Sequence, residues 1–77
     1  MEMNNRYIIV NCNVLNLRNQ PSLASDIIDK IPEGTEVYID EKYFNKYFYK
    51  VNYNNKLGYC VKTFISKVEW VKNRRHL

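Results

Sequence analysis

The stretch "LNLRNQPSLASDIIDKIPEGTEV", residues 15–37, carries almost no catalytic chemistry but is the most ordered passage of the chain. Leu15 and Leu17 alternate with Asn16 and Arg18, which sends apolar side chains to one side of a strand and polar ones to the other. Asn19-Gln20-Pro21-Ser22 turns the chain, and Pro32-Glu33-Gly34 turns it again before Val37 and Ile39 restart the alternation. The layout is strand, long loop, tight turn, strand. Residues 19–26 read as a polar loop with one leucine, and Ile27, Ile28 and Ile31 as the residues that return the chain over the core.

Upstream, Tyr7 to Val14 reads as a strand in which Val10, Cys12 and Val14 share one parity, with Leu15 and Leu17 on the other. A β-bulge near Val14 would let both runs face one core. Downstream, Val37 and Ile39 point inward and Tyr38 outward, and Asn45-Lys46 supplies a turn. "YFYKVNY" then sets Tyr49, Val51 and Tyr53 against Phe48, Lys50 and Asn52. Asn54-Asn55-Lys56 is a hairpin turn, because asparagine tolerates the left-handed backbone such turns require. "LGYCV" returns as a strand, and "KTFI" makes one short helical turn that tucks Phe64 or Ile65 underneath. Short strands and tight turns without a long amphipathic helix predict a small all-β barrel or sandwich.

A chain of 77 residues holds one small domain, whose large apolar residues are mostly needed for folding. The exception is the aromatic set of seven Tyr, three Phe and one Trp. Cross-strand pairing absorbs most of it, and the remainder are candidates for ligand contact. The net charge is +4, yet residues 1–66 carry eight basic and seven acidic side chains, while residues 67–77 carry four and one. A body so nearly neutral does not predict nucleic-acid binding, which needs a concentrated basic face. Cys12 and Cys60 read as plain thiols in apolar strands; a disulfide between them would require neighbouring strands. With His76 as the sole histidine, no metal-ligand spacing exists, so neither metal nor cofactor is expected. The same shortage removes any histidine-assisted nucleophile, and the chain is expected to bind rather than catalyse. No apolar run approaches a membrane span or an export signal, which predicts cytoplasmic synthesis without a signal peptide and no membrane partner.

Leu15-Asn16-Leu17-Arg18, Pro21-Ser22, Glu33-Gly34-Thr35, Phe48-Tyr49-Lys50-Val51 and Gly58-Tyr59-Cys60 fall in an order and spacing that resemble the bacterial SH3 family. Its pattern runs Leu-Asn-Val-Arg, Pro-Ser, Lys-Gly-Thr, Trp-Tyr-Lys-Val and Gly-Tyr-Val. The resemblance implies an SH3-like barrel of five to seven short strands over residues 1–66, with 67–77 a basic extension able to add a further short strand. The chain departs from the family at Phe48, where Trp is usual, at Tyr47, which replaces a glycine, and at Asn19-Gln20, where Ser-Gly is common.

The same resemblance implies recognition of bacterial cell wall, through peptidoglycan or a wall glycan, by a targeting module of a phage endolysin or bacterial autolysin. Such a module acts at the wall after release, within the enzyme or as a separate subunit that assembles with it. The alternative is an intracellular protein-interaction module, for example a small phage protein that binds a host protein. Asn16, Tyr43, Tyr47, Phe48 and Tyr59 are the expected ligand-binding residues, freed from the core by parity or loop position. Arg18, which the family pattern places beside the loop, has two readings. It contacts an acidic ligand group, or, as preferred, its fork of donors ties down loop carbonyls or a carboxylate such as Asp26 or Glu33. In the extension, Val68 and Trp70 alternate with Glu69 and Val71, and Trp70 is expected to be covered by the domain's own flank or by a second copy in a homo-oligomer.

Overall fold

In the computed structural model, which describes residues 6–68, the alternating stretches form seven short antiparallel strands. These are β1 (Arg6–Ile9), β2 (Val14–Arg18), β3 (Ile27–Pro32), β4 (Glu36–Ile39), β5 (Phe48–Tyr53), β6 (Lys56–Val61) and β7 (Ile65–Lys67), with one 3₁₀ turn over Lys62–Phe64 before β7. Their spatial order is β3-β2-β6-β5-β4-β1-β7, and the sheet curls into the expected SH3-like barrel. Every strand sends at least one side chain into a shared core: Tyr7 and Ile9, Leu15 and Leu17, Ile31, Val37 and Ile39, Val51, Cys60, and Ile65. Each fully buried aliphatic side chain stabilises the fold by about 1.5–3 kcal/mol. Tyr49, Tyr53, Phe64 and Cys12 pack against this core from its margins.

Two features of the turns follow from backbone freedom. Asn54 and Asn55 hold φ of 56° and 63°, the paired left-handed residues of a type I′ hairpin, with Tyr53 opposite Lys56. Gly34 holds φ of 87° in a turn closed by Thr35 N–H donating to Pro32 O, at the position where a type II turn needs glycine.

The start of the chain differs from the bulged strand read from sequence. β1 ends at Ile9, the chain bends through residues 10–13 with Asn11 at φ 60°, and β2 begins afresh at Val14. The bend is held by Gly34 N–H to Ile9 O, Val10 N–H to Phe64 O, and the Glu33 carboxylate, which accepts from the Asn11 N–H at 3.0 Å. Tyr7 and Ile9 therefore set the inward parity, and Val14 is left 46% exposed. A register shift does occur, but further along, at Leu17/Arg18 opposite β3. The third strand, β3, stands where the sequence pattern predicts only a return of the chain over the core. Ile31 does enter the core, whereas Ile27 and Ile28 remain largely in solvent along an outer strand. At the other end, β7 runs through Lys67 against β1, and Val68 N–H donates to Arg6 O. The rest of the proposed extension, with Trp70, lies outside the described residues.

β2 meets β6 at one registered pair, Arg18 opposite Tyr59. Beside it, a Cβ built on Gly58 would lie 2.6 Å from the Arg18 carbonyl oxygen and 2.8 Å from the Leu17 Cγ. Only glycine permits this approach. Arg18 also anchors the 19–26 loop, its Nη1 donating to Leu23 O at 3.0 Å and Ser25 O at 2.9 Å. Loop carbonyls, rather than Asp26 or Glu33, are the partners of its fork. Ser25 Oγ donates to Ser22 O at 2.6 Å, and Ala24 N–H to Ser22 Oγ at 3.1 Å, which completes the scaffold. Both cysteines are free thiols.

Three outcomes are expected. Gly58→Ala should cost about 1–3 kcal/mol in chemical denaturation because backbone at the β2–β6 contact cannot yield; a midpoint equal to the parent's would refute the close approach. Arg18→Lys, which cannot span two carbonyls in the same planar geometry, should lose about 1 kcal/mol in thermal melting. Burial pushes the Cys60 thiol from 9.0 up to about 12. The folded state therefore keeps a proton that the unfolded chain releases, so this stabilisation is complete below pH 9 and is lost as pH rises towards 12. Cys60→Ala should flatten the alkaline fall in stability, and an unchanged slope would exclude the thiol as its source.

Candidate functional site

Directly opposed residues of neighbouring antiparallel strands share a face. The pairs Arg18–Tyr59, Lys50–Tyr59 and Phe48–Val61 therefore gather on the outer side of β2, β6 and β5, away from the core. Asn16, between buried Leu15 and Leu17, faces the same way. Where this face meets the 19–26 loop it forms a groove of about 230 Å³, lined mainly by apolar atoms of Val14, Leu23, Val61 and Phe64, with Asn16 and Arg18 as its polar members. The Cys12 side chain reaches the groove wall, and its thiol is held neutral by a pKa raised by burial and by nearby Glu33.

Tyr59, next to Val61 on the outer side of β6, extends the groove towards the 40–47 loop. There Tyr43 packs against it with ring centroids 5.3 Å apart and planes tilted by 59°. Such edge-tilted pairs add about 0.5–1.5 kcal/mol beyond burial. The Lys50 Nζ lies 5.9 Å from the Tyr43 ring centroid. Tyr43 is placed by an Asx turn in which Asp40 Oδ1 accepts from Lys42 N–H and Asp40 O from Tyr43 N–H.

The five residues expected at a ligand surface thus take four positions. Asn16 lies in the groove, Tyr43 and Tyr59 form a half-buried pair beside it, and Tyr47 stands at the loop's end, 63% exposed with the Lys46 Nζ 5.5 Å from its ring centroid. Phe48 has the expected outward parity and is only 6% exposed, so its ring is largely covered within that face. The backbone before it is fixed by Asn45, whose Oδ1 accepts from both Tyr47 N–H and Phe48 N–H.

Sequence reasoning passed over Leu23, Val61 and Phe64 in the groove and Lys50 over Tyr43. Lys50 was legible, since it shares parity with Phe48; the others depend on how the 19–26 loop and the 3₁₀ turn pack, which alternation alone does not express. Among the described residues no group of three or more His, Cys, Asp or Glu could hold a metal ion, and no helix is long and apolar enough to cross a membrane. The geometry offers a concave apolar strip with a few polar groups and flanking aromatics, which suits binding.

No curated protein matches the sequence. A family model described as bacterial SH3 domain matches residues 13–66, a span that contains the tyrosine pair, the β2–β6 contact and all of the groove lining except Cys12. Membership suggests a non-catalytic role in cell-wall binding, and the barrel, its glycine-dependent contact and this match together establish that the chain belongs to the bacterial SH3 domain family.

Proposed function

We propose that this domain is the wall-targeting module of a peptidoglycan hydrolase, a phage endolysin or an autolysin, carried within the enzyme or assembled with it as a separate subunit, in a homo-oligomer or with the full-length lysin. It is made in the cytoplasm and acts on the wall after release. The ligand lies along the outer face of β2, β6 and β5, with the Asn16 side of the groove taking a peptide or sugar portion and Tyr59, Tyr43 and Tyr47 offering ring edges and hydroxyls beside it. The observation that carries this reading is the continuity between groove and tyrosine pair through Val61 and Tyr59, on a barrel whose family is wall-directed.

Loop backbones fixed by side-chain hydrogen bonds favour the assignment, because a surface already in its binding geometry spends little conformational entropy on association. Tyrosine also suits a ligand with both apolar carbons and hydroxyls, since its ring and its OH serve the two together.

Sedimentation with purified Gram-positive cell walls tests the proposal. Tyr59→Ala and Tyr47→Ala should each raise the apparent Kd roughly tenfold, the usual scale for an aromatic anchor, while melting stays close to the parent's. Unchanged sedimentation of both variants would remove these residues from the site, and failure of the parent to sediment with any wall would refute the function.

A further inference from the structure

The 40–47 loop sorts its charges. Its two acidic residues are both engaged: Asp40 accepts from the backbone of Lys42 within the loop, and Glu41 turns to the barrel, where it accepts from the Tyr7 hydroxyl at 2.6 Å and pairs with Lys67 at 3.8 Å. The lysines around the loop have the opposite placement. Lys46 lies over the Tyr47 ring, Lys50 over Tyr43, and Lys62 over both Phe44 (5.8 Å) and Tyr49 (5.1 Å). Among the described residues the ion pairs are Arg6–Glu36, Lys56–Asp29 and Lys67–Glu41, so none of these three ammonium groups has a carboxylate partner. Three rings within residues 43–47 thus hold three cations, and Phe44, 90% exposed, stands at their outer limit.

A ring beneath an ammonium restrains its position without neutralising it. The N–H donors remain available, the local field is positive, and the ring edges offer apolar surface beside each charge. We infer that this cluster binds a polyanionic wall polymer with phosphates along a sugar or polyol chain, the phosphates meeting Lys46, Lys50 and Lys62 and the carbons lying against Phe44 and Tyr47. The assignment rests on the wall-binding reading above and specifies the ligand's charge. A single-stranded nucleic acid has the same charge but needs open ring faces on which bases stack. Here lysines lie over those faces, and Tyr43 is further occupied by Tyr59.

The test compares sacculi bearing their phosphate polymers with sacculi stripped of them by hydrofluoric acid, which leaves the peptidoglycan. The parent domain should bind stripped sacculi about tenfold or more weakly, since three charge contacts are lost. The triple variant Lys46→Gln/Lys50→Gln/Lys62→Gln should bind intact sacculi only as well as the parent binds stripped ones. Raising sodium chloride from about 0.05 to about 0.5 M should weaken the parent's binding to intact sacculi, a readout that requires no variant. Equal binding of the parent to both sacculi would overturn the inference and leave wall binding intact, whereas binding to neither would overturn both. Affinity for an oligothymidylate equal to that for intact sacculi would also overturn it, by showing a general attraction to polyanions.

Discussion

The barrel depends on a place where there is no side chain. The β2–β3 hairpin joins the other five strands through β6, at the pair Arg18–Tyr59, and the neighbouring Gly58 lets the Leu17–Arg18 backbone come close enough to form it. Much is attached at that contact. Leu17, fully buried, enters the core there; Arg18 reaches from it to hold the 19–26 loop; and Tyr59 projects from it to meet Tyr43. Core, loop and aromatic pair are therefore fixed relative to one another by a backbone approach. A site assembled from three elements keeps its shape only if those elements share such an origin.

Both loops that border the site replace apolar packing with side-chain bonds to the main chain. In the first, Arg18, Ser22 and Ser25 satisfy carbonyls and an amide; in the second, the Asp40 and Asn45 side chains accept from three backbone N–H groups. This explains how the chain manages without the glycines its family favours there. Asn45 caps the N–H groups of Tyr47 and Phe48 directly, so Tyr47 can occupy the usual glycine position. Asn19 N–H donates to Asp26 O, closing the first loop at its base without a left-handed residue.

Features written in short-range chemistry were legible in the sequence. The Asn54-Asn55 corner, the Gly34 turn and the alternation of Val37 with Ile39 each state their geometry within a few residues, and the family motifs supplied the barrel. Features decided by distant partners were not. The strand expected through Val14 is broken because Glu33, Gly34 and Phe64 bond the backbone at residues 9–11. Ile27 and Ile28 look like core by composition, but β3 is an outer strand of the sheet and only Ile31 faces inward. Phe48 shows the same limit at the site: parity places it on the outer face, but alternation does not state that it is only 6% exposed there.

The two thiols differ in address but share a chemical state, and this bears on durability. Thiolate, not thiol, is the species that peroxides and disulfides attack, and its abundance falls as pKa rises. Cys60 is sealed in the core with its proton held to about pH 12, and Cys12, though in the groove wall, is also shifted towards the neutral form. Burial raises both pKa values, and for Cys12 the carboxylate of Glu33 raises it further. Both thiols therefore favour the protonated form, the less reactive one towards oxidants, so the domain carries two unpaired cysteines of low thiolate content.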